Sequence, residues 1–312
     1  MKQTEIIIPE KLIVPMNING IKGRVLTLPA TGSVKQNILL IYGHHSSIER
    51  MYSLARSLTE YGTITMPDIP GFGGMDSFYS IGETPSIDRM ADYLATFIKL
   101  QYKKRSFVVC GMSYGSLIVT RMMQKYPDIA KQVSMNISLV GFSNKEDFSF
   151  SPRTYKILYN GSRLLSHPIP SFFAKHVVFS KPLITLTYRL TAKSHVKMKD
   201  ATKEERNRRI RFEVYLWQCN DARTYFATSA SFLNIDLTTI PIPTKVYHIH
   251  VTGDQYFRKE TVVKNLAKIY TKVIIYTVNL PNHAPTVISD QEEAGKIIPT
   301  KLKKLLLQNA KP

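Results

Sequence analysis

The feature that most constrains this chain is a repeated alternation between short apolar runs and longer stretches with apolar residues at helical spacing. Asn37–Tyr42 and Ser106–Cys110 are apolar on both faces, so each predicts a strand covered from two sides. Ser47–Tyr61, the stretch that follows Thr84 through Leu100 and Tyr114–Tyr126 predict helices between the strands. Ile87, Met90, Ala91, Leu94 and Ile98 give the second of these one apolar face. Gly62–Met66 and Val133–Val140 add two more strands. Asn19-Gly20, between the runs Lys11–Met16 and Lys22–Leu28, is a strong hairpin signal. Such alternation predicts an α/β chain with a mostly parallel eight-stranded sheet flanked by helices.

The alternation stops after Phe142 and resumes with Thr244–Val251, a helix over Lys259–Tyr270, a strand over Val273–Val278 and a terminal helix near Asp290–Gln308. The stretch between reads as helical, without a convincing buried strand. The expected organisation is therefore a core of residues 1–142 and 236–312, interrupted by a helical cap, or lid, over 143–235. Much of the formal charge of +19 falls in this insertion: residues 151–236 carry fifteen Lys/Arg and six Asp/Glu. Glu204-Glu205 and Arg208-Arg209 stand at the i,i+4 spacing of helical ion pairs. No zinc-finger, helix-turn-helix or RNA-binding aromatic pattern accompanies the basic charge, so no nucleic-acid partner is expected. A peripheral contact between the basic cap and an anionic membrane stays open.

Gly111-Met112-Ser113-Tyr114-Gly115 carries the chemistry. The motif follows an apolar strand and opens a helix, the context of a nucleophile elbow, in which a tight turn leaves the serine hydroxyl exposed above a sheet. A serine nucleophile needs a base, and the base needs an orienting acid. Asp254 follows one late strand and His283 another, and the order Ser, Asp, His has each residue after the C-terminal end of a strand.

On these residues the chain resembles the α/β-hydrolase superfamily, in the capped branch that includes esterases, lipases, C–C bond hydrolases, epoxide hydrolases and haloalkane dehalogenases. The resemblance covers about residues 20–142 and 240–308. Pro67-Asp68-Ile69-Pro70-Gly71-Phe72-Gly73 is similar to the family's D-x-P-G-x-G segment, which implies that Asp68 holds backbone and does no chemistry. The resemblance implies a Ser113–Asp254–His283 triad, with Asp147 as an alternative acid used by some capped relatives. It also implies an oxyanion hole from the N–H groups of Tyr114 and His44. Relatives commonly carry His-Gly in that loop, and Tyr42-Gly43 departs from the pattern at its first position.

His248 and His250 fall within one strand and read as packed residues. His167, His176 and His195 fall in the insertion, with surface placement expected, and the His195–Asp200 spacing reads as coincidence. Cys110 and Cys219 are too few for a disulfide framework and lack metal spacing, so no metal or cofactor is expected. The N-terminus lacks the apolar core of a signal peptide, and no apolar run reaches a membrane span, which makes cytoplasmic the default expectation. The function expected is cleavage of an ester-type acyl bond in a small, apolar substrate. Alternatives are a C–C bond hydrolase or acyltransferase of the same fold, or a catalytically silent binding protein. The sequence leaves oligomeric state open. The insertion's aromatic residues, among them Tyr155, Tyr159, Phe172, Phe173, Phe179, Tyr188, Trp217, Tyr225 and Phe226, are read either as an acyl pocket or as the cap's own small core.

Overall fold

The expected hairpin opens the fold, with β1 (Ile13–Ile18) antiparallel to β2 (Ile21–Leu28). Asn19 and Gly20 both take positive φ, 52° and 86°, which is the mirror-image turn that matches the twist of the flanking strands. The computed structural model describes residues 8–190, 202–284 and 291–309; His195 and Asp200 lie outside them.

β3 (Asn37–Ile41) leads to α1 (Ile48–Ser57), capped by the Ser47 hydroxyl. The helix expected through Tyr61 stops at Ser57, and Thr59–Tyr61 forms a separate 3₁₀ turn. β4 (Thr63–Pro67) follows. α2 (Ile87–Tyr102) begins two residues later than expected, because Ser86 is extended and its side chain caps the helix by accepting from Arg89 N. β5 (Phe107–Met112) runs two residues past its expected end, so Gly111 and Met112 of the serine motif are still strand. α3 (Tyr114–Lys125), the short α4 (Pro127–Ala130) and β6 (Val133–Leu139) complete the first half.

Between β6 and the next strand the described residues form five helices: α5 (Pro152–Leu165), α6 (Pro168–Phe173), α7 (Lys181–Leu190), α8 (Lys203–Cys219) and α9 (Ala222–Leu233). A π-helical turn, Ala174–Val178, prolongs α6. The base of this excursion is pinched shut, because Lys145 N donates to Ile235 O and Leu237 N to Ser143 O. The expected Glu–Arg pairing is present in α8 as the Arg209–Glu205 ion pair. β7 (Ile242–Val251), α10 (Lys259–Ile269) and β8 (Tyr270–Val278) then restore the alternation. The single terminal helix expected is two, α11 (Gln291–Gly295) and α12 (Thr300–Asn309), with Pro299 between them.

The eight strands form one sheet in the order β1-β2-β4-β3-β5-β6-β7-β8, parallel from β4 through β8. Every residue of β5 and all of β3 beyond Asn37 are buried, as strands in the middle of a doubly covered sheet must be. The C-terminal ends of β3, β5, β7 and β8 therefore point to one edge. Ligands bind at that edge in open α/β sheets.

Candidate active site

Ser113 stands between β5 and α3 at φ 50°, ψ −115°, a backbone conformation costing on the order of 1–3 kcal/mol for a residue with a side chain. The surroundings hold it there: Ser113 N donates to Leu139 O at 2.8 Å, and Ser113 O accepts from Ser116 N at 3.0 Å. The flanking glycines are required by contact. A Cβ at Gly111 would lie 2.6 Å from Ser116 Cα, and one at Gly115 would lie 2.3 Å from Ile41 O. The spacing of the motif is thus the footprint of a tight turn against β3.

His283 follows β8, and its Nε2 lies 3.0 Å from Ser113 Oγ. Its Nδ1 lies 2.8 Å from Asp254 Oδ2. The loops carrying this pair are bound to each other, with Thr252 N donating to Val278 O and Gly253 N to Leu280 O. The Asp254 side chain is 1 % exposed. Burial pushes its carboxyl pKa up, but the His283 hydrogen bond and charge, with N–H donation from Tyr256 and Phe257, outweigh burial and leave it lowered. The rings of Tyr256 and Phe257 flank the imidazole, with centroids 5.2 and 5.3 Å away.

Asp147, the alternative acid, is spent elsewhere. It accepts from Ser143 N, Asn144 N and Asn265 Nδ2, and it caps the turn at Lys145–Asp147.

Tyr114 is the first residue of α3, so its N–H is one of the amides a helix leaves without an intrahelical carbonyl. Gly43 lies against the serine turn, since a Cβ there would be 3.4 Å from Ser113 Cβ, and it brings the His44 backbone beside the same corner. The His44 ring faces Phe72, Tyr114, Tyr225 and Phe232. Burial lowers its pKa to about 3, so it is neutral near pH 7. The Thr228 hydroxyl donates to Thr224 O, which leaves His44 Nε2–H as the donor in their 2.9 Å contact.

Residues 32–153 match the family model described as serine aminopeptidase, S33. No curated protein matches the chain by sequence. Solved structures match it by fold. The N-formylmaleamic acid deformylase of Pseudomonas putida is 18% identical with a TM-score of 0.59, over 87% of this chain and 94% of that one. A thermophilic esterase of Thermogutta terrifontis is 16% identical with a TM-score of 0.59, over 96% and 98%. The epoxide hydrolase CorEH is 15% identical with a TM-score of 0.60, over 96% and 97%. The chain has the α/β-hydrolase fold.

In this fold the serine opens into a cavity of about 790 Å³ between the sheet edge and the inserted helices. Ser113, His283, His44 and Tyr256 line its floor, and Leu158, Ser162, Tyr225, Phe226 and Phe232 its roof. Six of the insertion's aromatic residues divide three ways, while Tyr155 and Tyr159 pack against the main core and Tyr188 hydrogen-bonds Glu213. Tyr225 and Phe226 face the cavity, Phe179 stacks on Trp217 at 3.6 Å, and Phe172 and Phe173 are exposed. They are neither one acyl pocket nor one cap core.

Asp68 departs from its expected part. Its carboxylate accepts from Arg24 Nε at 2.8 Å and Tyr42 OH at 3.0 Å, so it holds side chains, while backbone is held by Tyr42, which accepts from Ile69 N at 2.8 Å. Tyr42 is fully buried and ties the His44 loop to the D-x-P-G-x-G loop, which accounts for the departure from His-Gly. Sequence reasoning missed three contacts from the insertion: Asn220 Oδ1 on Gly73 N, Asn220 Nδ2 at His45 Nδ1, and Thr228 on His44. His248 is buried in β7 with Nδ1 3.1 Å from Ser138 Oγ, as a packed histidine.

Proposed function

We propose that this protein is a serine hydrolase that cleaves an ester-type acyl bond in a small, largely apolar substrate through an acyl-enzyme. One observation carries the reading: Ser113 Oγ, His283 and Asp254 form a continuous hydrogen-bonded relay, 3.0 and 2.8 Å, at the floor of the cavity.

In this mechanism His283 Nε2 takes the Ser113 proton as Oγ attacks the acyl carbon. The ionised Asp254 fixes the ring and stabilises the imidazolium. The N–H groups of Tyr114 and His44 receive the oxyanion. Collapse of the tetrahedral intermediate expels the alcohol with the proton from His283. Water then repeats the cycle and frees the acid and Ser113. A serine nucleophile yields an acyl-enzyme, whereas epoxide opening and dehalogenation proceed through a carboxylate nucleophile. Residues 143–235 serve as the lid over a core of residues 1–142 and 236–312, and the apolar roof selects the acyl group.

The description of the matching family favours a second reading, amide cleavage at the same serine. Paired assays on p-nitrophenyl esters and aminoacyl p-nitroanilides separate the two. Ester turnover lost in Ser113→Ala is expected; anilide turnover alone would exchange the readings, and turnover of neither would remove both.

A further inference from the structure

We propose that the outer face of α5–α7 is an interfacial docking surface for an anionic lipid bilayer. Of the eighteen large apolar side chains exposed on the described residues, ten lie between residues 157 and 190 besides the cavity-lining Leu158. In α6 and its π-helical extension they recur at one-turn spacing, with Ile169, Phe172, Phe173 and Val177 exposed by 72, 60, 60 and 55%. In α7 Leu183, Leu186 and Leu190 form the same kind of stripe, while Ile184 is buried on the opposite side. Helices that bury one side against the protein normally present a polar one outward. Here the outward side is apolar too.

Charge identifies the occupant. Residues 151–190 contain six Lys/Arg and no Asp/Glu. A second copy of the same face would bring these cations against their own kind. An anionic lipid surface answers both properties, with apolar side chains entering the headgroup boundary and the surrounding cations meeting lipid phosphates. No helix among the described residues is long and apolar enough to cross a membrane, so the contact is a docking on the surface.

The face is also the outside of the cavity's roof. α5 exposes Ile157 and Leu164 outward, while its Leu158 and Ser162 line the cavity above Ser113. Docking therefore sets the cavity beside a source of acyl lipid. That the bilayer supplies the substrate rests on the acyl-hydrolase reading; the docking itself does not.

Flotation of the full chain with phosphatidylcholine vesicles, with and without phosphatidylglycerol as about a third of the lipid, tests this over a salt series. Binding to the anionic vesicles is expected, stronger than to phosphatidylcholine alone. Phe172→Ser/Phe173→Ser is expected to weaken it roughly tenfold or more at every salt level, with unchanged melting and unchanged turnover of a soluble ester. Lys156→Gln/Lys181→Gln is expected to weaken it at about 50 mM salt and to have little effect at about 500 mM. If soluble-ester turnover is absent while vesicle binding responds in this way, docking stands and the hydrolase reading falls. Absence of flotation at low salt, or equal flotation by the phenylalanine pair variant, overturns the proposal. So does a concentration-dependent dimer, abolished by that variant, in a protein that ignores vesicles.

Discussion

Ser113 owes its cavity-facing hydroxyl to a backbone conformation the rest of the turn enforces, and this makes the residue scale unusually testable. Gly111→Ala or Gly115→Ala drives a Cβ into backbone at 2.6 or 2.3 Å. Either is expected to lower stability by more than about 2 kcal/mol and to displace Oγ from His283, readable as lost melting temperature and lost ester turnover. Asp254→Asn is expected to cut kcat about 10³–10⁴-fold with little change in melting, because it removes the acceptor that fixes the His283 ring. Asp147→Asn should do the reverse, destabilising by about 1–3 kcal/mol with kcat nearly intact, since its oxygens hold the base of the insertion. Ser113, Asp254 and His283 were legible in the sequence because each follows a recognisable strand. Thr228 and Asn220 were not, since they reach His44, His45 and Gly73 only through packing between segments more than 140 residues apart. Asp68 was misassigned for a related reason: a motif reports a carboxylate's position, while its partner Arg24 comes from a different strand.

At the scale of elements, β7 carries a pH-sensitive group inside the sheet. Burial, with the charge of His250, lowers the His248 pKa from 6.5 to about 3. Between these values the unfolded chain binds a proton that the folded chain does not, so stability falls as pH falls through this window and is full above it. The contribution approaches about 1.4 kcal/mol per pH unit within the window. His248→Asn, which keeps a polar atom near Nδ1 for Ser138, is expected to flatten the acid side of the melting-versus-pH curve by about one proton. An unchanged slope would place the acid sensitivity elsewhere. The strands were legible to within a few residues, because apolar runs bounded by polar turns leave little freedom. Helix ends were less so: the break at Pro299 and the stop at Ser57 depend on local hydrogen bonding that periodicity does not report.

Over the whole molecule, sheet and insertion together make what neither has alone, a cavity with Ser113 and His283 on its floor and an apolar roof. The insertion's helical character was legible, but the division of its aromatic residues between cavity, stacked pair and exposed face was not, because composition is silent on which way a side chain points. Ser162→Phe fills the roof from α5 and is expected to lower kcat/KM for long-chain p-nitrophenyl esters several-fold more than for the butyrate ester. Equal losses across chain lengths would remove the roof from acyl selection. The central claim, an activated serine at the end of β5, is met most directly by labelling with a fluorophosphonate probe followed by peptide mapping. The account predicts a single adduct on Ser113, lost in Ser113→Ala and strongly slowed in His283→Ala. An unlabelled protein, or labelling that survives Ser113→Ala, would contradict it.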